Sequence, residues 1–248
     1  MKSTDIALVI LSCDKFKVTW QPCIDYLFKQ WPNCPYPVYL LNNFIESDDT
    51  RVRNLLVGED LNWSNTLKKG LLKISQERVF FIYDDSFMTK IDVEEVKAIF
   101  KMTIENDLSS VALRKNPFGN GKKYNDRLYE IKPTAKYRNA LFLNLIKKEV
   151  VLGLLKDGEN AWEFEKDGNQ RSEKIAFYSV YASKLTSYHH GIVKGKWLPK
   201  TKKELISNGY LLEENDFGSF NNVEALFMNI YAFFFFLLNK LYHRIKSS

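Results

Sequence analysis

The chain has 248 residues, 45% of them hydrophobic, 27% charged and 15% aromatic. That is enough for one sizeable core and excludes disorder, collagen-like repeats and low-complexity scaffolds. Thirty-six basic against thirty acidic side chains leave a net charge of +6, a mild bias that suits a phosphate-bearing substrate or an anionic membrane surface; the basic residues are dispersed among acids, which makes a nucleic-acid binder the least favoured reading.

The first apolar run, Ile6 to Leu11, reads as a buried strand that ends at the polar group Ser12 to Lys15. Trp20, Ile24, Leu27, Phe28 and Trp31 fall on one helical face, with Pro22 expected in the first turn, before Pro32, Pro35 and Pro37 break the helix. Val38 to Leu41 is a second strand, ending at Asn42-Asn43; residues 44–62 read as a loop, and Trp63 to Ile74 as a helix. Val79 to Tyr83 is a third strand, stopping at Asp84-Asp85. Asp92 and Glu95 have capping-box spacing ahead of a helix, and Ser110 to Leu113 is a fourth strand. The alternation of strands and helices predicts a largely parallel sheet covered by helices, with ligands beyond the carboxyl ends of the strands.

Residues 114–136 read as a loop with a short hairpin, Ala140 to Leu143 as a strand, Val150 to Leu155 as a short helix, and Gly158 to Glu165 as the opening of another. Ile175 to Tyr181 is expected as a last strand. The three cysteines, Cys13, Cys23 and Cys34, have no zinc-type spacing and read as reduced thiols of a cytosolic protein. From Ala225 to Leu238 the tail is almost wholly apolar, including Phe233 to Phe236, and closes on Lys240, His243, Arg244 and Lys246. It is shorter than the ~20 residues of a membrane span and reads as an interfacial helix.

Two adjacent carboxylates at the end of a buried strand are costly unless solvated, paired or metal-bound, so Asp84 and Asp85 are candidates to hold Mg²⁺ or Mn²⁺ against a diphosphate. Glu159, Glu163 and Glu165 surround Trp162 at a loop-to-helix junction, where a carboxylate can act as a general base and the indole can stack on a sugar. His189 and His190 are candidates for a metal or phosphate contact, Lys194 and Lys196 for neutralising a leaving diphosphate, and Trp63 for flanking a nucleotide base.

Trp63 to Leu67, Ile82 to Phe87, Gly158 to Glu165 and Lys194 to Trp197, in that order, resemble GT-A nucleotide-sugar glycosyltransferases, above all small bacterial enzymes of capsule or O-antigen type surface polysaccharide assembly. The resemblance spans roughly residues 5–200. It implies an α/β fold of GT-A type, a Rossmann-like mostly parallel sheet flanked by helices, with a C-terminal amphipathic helical tail. The catalytic domain would be 1–205, with a nucleotide-binding half (1–113) and an acceptor half (114–205), and the tail 206–248 would associate with a membrane. Asp84-Asp85 stands at the DxD position, with Ser86 in place of its last Asp. Asn160 stands where inverting members carry their basic Asp, so the resemblance passes the base role to Glu159 or Glu163. It also implies that Ser12, Asp14, Asn42, Trp63, Asp84, Asp85, Lys194 and Lys196 bind the donor, Trp162 the acceptor, and Asp85, His189 and His190 the metal, with a metal-independent variant left open. The implied enzyme is of hexosyltransferase type. It moves a sugar from a UDP-sugar donor to a glycan or polyprenyl-linked glycan at the inner face of the cytoplasmic membrane, and its oligomeric state is open. The rivals are a nucleotidyltransferase, which the absence of glycine in Ser12 to Phe16 disfavours, and a non-catalytic sugar- or lipid-binding module.

Overall fold

The computed structural model describes residues 5–118, 120–181, 184–212, 217–221, 223 and 224. The apolar runs form the centre of the sheet: β1 (Ile6–Leu11), β2 (Val38–Asn42), β3 (Arg53–Leu56) and β4 (Arg78–Tyr83). They lie parallel in the order β3-β2-β1-β4, with Leu8 opposite Val38 and Phe80. A strand covered on both faces is a continuous apolar run, which is why β1, β2 and β4 stand out in the sequence. Alternation then divides β1 between two cores. Ile6, Leu8 and Ile10 pack with Trp20, Ile24 and Leu27 of α1 (Lys17–Gln30) and with Val96, Ile99 and Phe100 of α3 (Val93–Glu105). Ala7 and Val9 face Leu67 and Leu71 of α2 (Trp63–Lys73), Val151 and Leu154 of α4 (Lys148–Leu154) and Phe164 of α5 (Ala161–Arg171). The result is a helix–sheet–helix sandwich.

Beyond β4 the sheet continues through β9 (Asn144–Lys147), β6 (Ser110–Ala112), β10 (Tyr178–Val180), β8 (Leu128–Ile131) and β7 (Asn120–Lys123). β9 and β8 run against the rest. This Rossmann-like, mostly parallel sheet with helices on both faces is the expected GT-A architecture. Residues on either side of position 113 share the one nine-stranded sheet.

Several elements differ from expectation. The helix α1 begins at Lys17, after a single 3₁₀ turn at Asp14–Phe16, so Pro22 lies in its interior rather than its first turn. The 44–62 segment contains β3, an edge strand too short and polar to announce itself. The strand expected at 140–143 is displaced to β9, because Leu143 takes a left-handed backbone conformation (φ 52°) and only Phe142 bridges to Phe81 before the kink.

After Asp84-Asp85 the chain turns straight into β5 (Ser86–Ile91), which pairs antiparallel with β11 (Thr186–His190) to form a ribbon outside the main sheet. A small third sheet joins β12 (Ile192–Val193), β13 (Lys196–Trp197) and β14 (Gly218–Ser219). The boundary expected after residue 205 falls within α6 (Pro199–Ser207). The apolar stretch 225–238 and its basic end lie outside the described residues. Among the described residues no helix is long and apolar enough to cross a membrane.

Candidate active site at the carboxyl edge of the sheet

β1 and β4 end side by side, Leu11 opposite Tyr83, and so bring Ser12 and Asp84 together. A cavity of about 510 Å³ opens there. Ser12, Tyr83, Asp84 and Asp85 line one side; Trp63 and Thr66 of α2 and Trp162 and Glu165 of α5 line another.

Asp84 is buried and accepts a hydrogen bond from the Ser12 hydroxyl, which itself accepts one from Trp20 Nε1 at 2.6 Å. Burial, reinforced by the neighbouring Asp85 charge, pushes the Asp84 carboxyl well above the usual carboxylate range. Asp85 is partly buried, and burial raises it to about 6. Its carboxylate accepts from the Ser86 hydroxyl at 3.3 Å, and its carbonyl accepts the Gly191 N–H at 2.6 Å, which ties the turn to the end of β11. Neither carboxylate has an ion-pair partner among the described residues. Two desolvated carboxylates without a cation, facing a cavity, have the oxygen chemistry of a hard divalent-ion site, so Asp84 and Asp85 fit the implied Mn²⁺ or Mg²⁺. No cluster of three or more acidic, His or Cys side chains is assembled for a metal among the described residues; diphosphate oxygens and water would complete the shell.

The expected trio of Asp85, His189 and His190 is not brought together. Successive residues of a strand point to opposite faces. His190 Nδ1 lies 3.2 Å from Ser86 Oγ, and burial lowers the proton affinity of its ring. His189 turns the other way, to Glu204 of α6 at 2.9 Å.

Glu159 and Glu163, the expected bases, do not line the cavity. Glu159 is buried in a two-pronged ion pair with Arg171 at 2.8 and 2.7 Å and also accepts the Lys156 N–H. Glu163 and Asn160 form a reciprocal capping box at the start of α5, both bonds at 2.9 Å, with Glu163 exposed. The glutamate that lines the cavity with Asp84-Asp85 is Glu165, whose carboxylate accepts from the Tyr83 hydroxyl at 3.3 Å. Burial raises its proton affinity. The cap explains the choice: with Asn160 outside the helix, Trp162 and Glu165 stand three apart on one face. That i, i+3 spacing is visible in the sequence once the cap is placed. Glu159→Ala should destabilise the fold by about 1–3 kcal/mol, because it leaves the partly exposed Arg171 without its carboxylate; the urea midpoint of the variant checks this, and an unchanged midpoint would contradict a structural role.

The other expected donor contacts divide. Ser12, Trp63, Asp84 and Asp85 line the cavity, as does the expected acceptor residue Trp162, which is 67% exposed. Asp14 instead clamps the turn after β2, accepting the backbone N–H groups of Asn43, Phe44 and Ile45 at 3.1–3.2 Å. Asn42 is buried beneath that turn and donates to the Ile45 carbonyl. Lys194 and Gly195 make the left-handed turn between β12 and β13, and Lys196 pairs with Glu224 at 3.4 Å, so neither lysine lines the cavity. Two groups at this edge were not singled out by the sequence. Asp60 lines the cavity and accepts from Thr66 at 2.6 Å, and Arg114 follows the end of β6.

No family model matches the chain, and no curated protein matches it. Among solved structures it is similar to S. aureus TarS 1-349 in complex with UDP-GlcNAc, with 11% identity and a TM-score of 0.49 over 78% of this chain and 60% of that one. It is also similar to a UDP-glucose pyrophosphorylase complexed with UDP-glucose (10% identity, TM-score 0.49, 75% of this chain and 91% of that one). A third is A197 from STIV (14% identity, TM-score 0.42, 76% and 86%). The chain thus spans about 60% of the length of TarS 1-349. Identities this low relate chain paths, not activities.

Proposed function

We propose that this protein is a metal-dependent glycosyltransferase of hexosyltransferase type that moves a sugar from a UDP-sugar donor to a hydroxyl of a glycan or lipid-linked glycan in surface polysaccharide synthesis. The observation that carries the reading is the pair of desolvated carboxylates Asp84 and Asp85, without an ion-pair partner among the described residues, sharing one cavity with the carboxylate of Glu165. Asp85, with Asp84 behind it, would hold the divalent ion, whose charge neutralises the departing diphosphate when bound. Asp60 offers an acceptor to a ring N–H of the base, and Trp63 an apolar wall beside it. Trp162 presents an exposed indole on which an acceptor sugar can stack. Glu165 takes the proton of the acceptor hydroxyl as that oxygen bonds to the anomeric carbon and the bond from that carbon to the diphosphate oxygen breaks.

The apolar, basic-ended sequence 225–248 supports placement at the inner face of the cytoplasmic membrane. The test of the donor site is calorimetric titration of the full chain with UDP and with GDP, each in Mn²⁺ and in EDTA. UDP binding that needs Mn²⁺ is the expected result; absence of binding by either nucleotide would overturn the reading.

A further inference from the structure

The carboxyl edge of the sheet carries a guanidinium to which the reaction above gives no task. Arg114 is partly buried, and its Nε donates to the Phe142 carbonyl at 3.1 Å. A guanidinium has five N–H donors in a fixed fork. Those at the tip of Arg114 have no partner among the described residues, and no carboxylate there lies within ion-pair distance. By contrast Arg78, Arg138 and Arg171, the other buried or partly buried arginines flanking this sheet, each direct their tips onto carboxylates or carbonyls.

The surroundings of Arg114 locate it. Phe142, whose carbonyl holds it, stacks on Tyr83 at 5.1 Å and meets Tyr188 edge-on at 4.8 Å. Tyr83 in turn donates to Glu165. Burial raises the proton affinity of Tyr83, Tyr129, Tyr188 and Glu165, and the Arg114 charge partly offsets that rise at each of them. Yet Arg114 does not line the cavity that holds Ser12, Trp63 and the Asp pair. Phe142 and Tyr83 thus link the cation to Glu165, while the cation itself lies outside the lining that Glu165 shares with Ser12, Trp63 and the Asp pair. A ligand group that meets it would belong to the molecule whose hydroxyl Glu165 deprotonates.

We propose that Arg114, held by Phe142, whose ring packs against Tyr83 and Tyr188, is an anion-recognition subsite for the acceptor, so that the acceptor glycan carries a carboxylate or a phosphate close to the reacting hydroxyl. The proposal rests on the reading of Glu165 as the base. A forked guanidinium matches either anion through two parallel hydrogen bonds.

The test uses the full chain saturated with UDP and Mn²⁺, titrated with inorganic phosphate, glucuronate and glucose, in the wild type, Arg114→Gln and Arg114→Lys. With UDP bound, the diphosphate position is filled and the probe anions report a separate site. Phosphate or glucuronate should bind the wild type, and Arg114→Gln should weaken that binding by about 10- to 100-fold. Arg114→Lys should recover part of it, while glucose should be indifferent to both changes and UDP affinity should hold. A preference for phosphate identifies a phosphorylated acceptor, and a preference for glucuronate a uronic acid. Equal anion binding by wild type and Arg114→Gln, or no anion binding by the wild type, would overturn the proposal. So would a parallel fall in UDP affinity, since the cation would then serve the donor. Should Arg114→Gln not fold, wild type against Arg114→Lys reads the same fork. A flat UDP isotherm removes the donor reading alone, and the anion titrations repeated without UDP then decide on Arg114.

Discussion

Asp85→Asn should lower affinity for UDP in the presence of Mn²⁺ by at least about 100-fold while making the protein more stable at neutral pH. The first effect follows from removing one charge of a desolvated pair that faces the ligand. The second follows from linkage. The Asp85 carboxyl titrates near 6 in the folded protein against 3.8 for the free side chain, chiefly through burial. Between those values the folded state holds more protons than the unfolded one, so stability falls as pH rises through this window and the loss is complete above it. Asparagine carries no charge to desolvate. The variant should therefore gain roughly 1–3 kcal/mol over the wild type at pH 7.5 and nothing at pH 3.5. Urea unfolding at the two pH values, beside UDP titrations, reads both effects. A variant that loses stability and keeps its UDP affinity would make Asp85 a structural residue.

Glu165→Gln carries the other large expected effect, on turnover rather than binding. UDP release from a UDP sugar, with water as acceptor, should fall by about 10²- to 10⁴-fold, with UDP affinity unchanged. Burial holds the Glu165 carboxyl above the ordinary range. The wild-type rate should accordingly rise with pH along a limb lying above the ~4.3 of a free glutamate, and Glu165→Gln should lose that limb. Tyr83→Phe, which removes the hydrogen bond that favours ionised Glu165, should move the limb further up. Glu163→Gln, altering only the capping box, should leave rate and limb in place. If Glu163→Gln abolishes turnover and Glu165→Gln does not, the assignment of the base is reversed.

The contrast between Glu163 and Glu165 shows how far the sequence could be read. β1, β2 and β4 were legible because strands buried on both faces leave unbroken apolar runs, and the Asp84-Asp85 pair was legible because it ends one of them. The proposed base was not, since three glutamates within seven residues are alike until the position of the cap is known; the Asn160 cap spends Glu163 on the backbone and leaves Glu165 in the cavity lining. Asp14 misled for a related reason. A carboxylate at a strand end reads as a ligand group, yet three backbone N–H groups of the next turn had first claim on it. Arg114 was hidden by its setting, a Gly- and Pro-containing stretch that reads as loop, although it lies two residues beyond the end of β6 at the same edge as the acids. His189 and His190 were adjacent in sequence and therefore opposed in space.

The ribbon of β5 and β11 has a consequence for the order in which the protein comes into being. The turn that carries Asp85 is held by Gly191, and Ser86 meets His190 across a separation of 104 residues. At a synthesis rate of roughly 5–20 residues per second, the growing chain spends roughly 5–20 seconds with its acidic pair made but not yet clamped. A nascent chain that ends before residue 190 has β1 to β4 and the acidic turn without the strand that clamps that turn. The geometry of the acidic pair thus arrives late, when the returning strand zips onto β5.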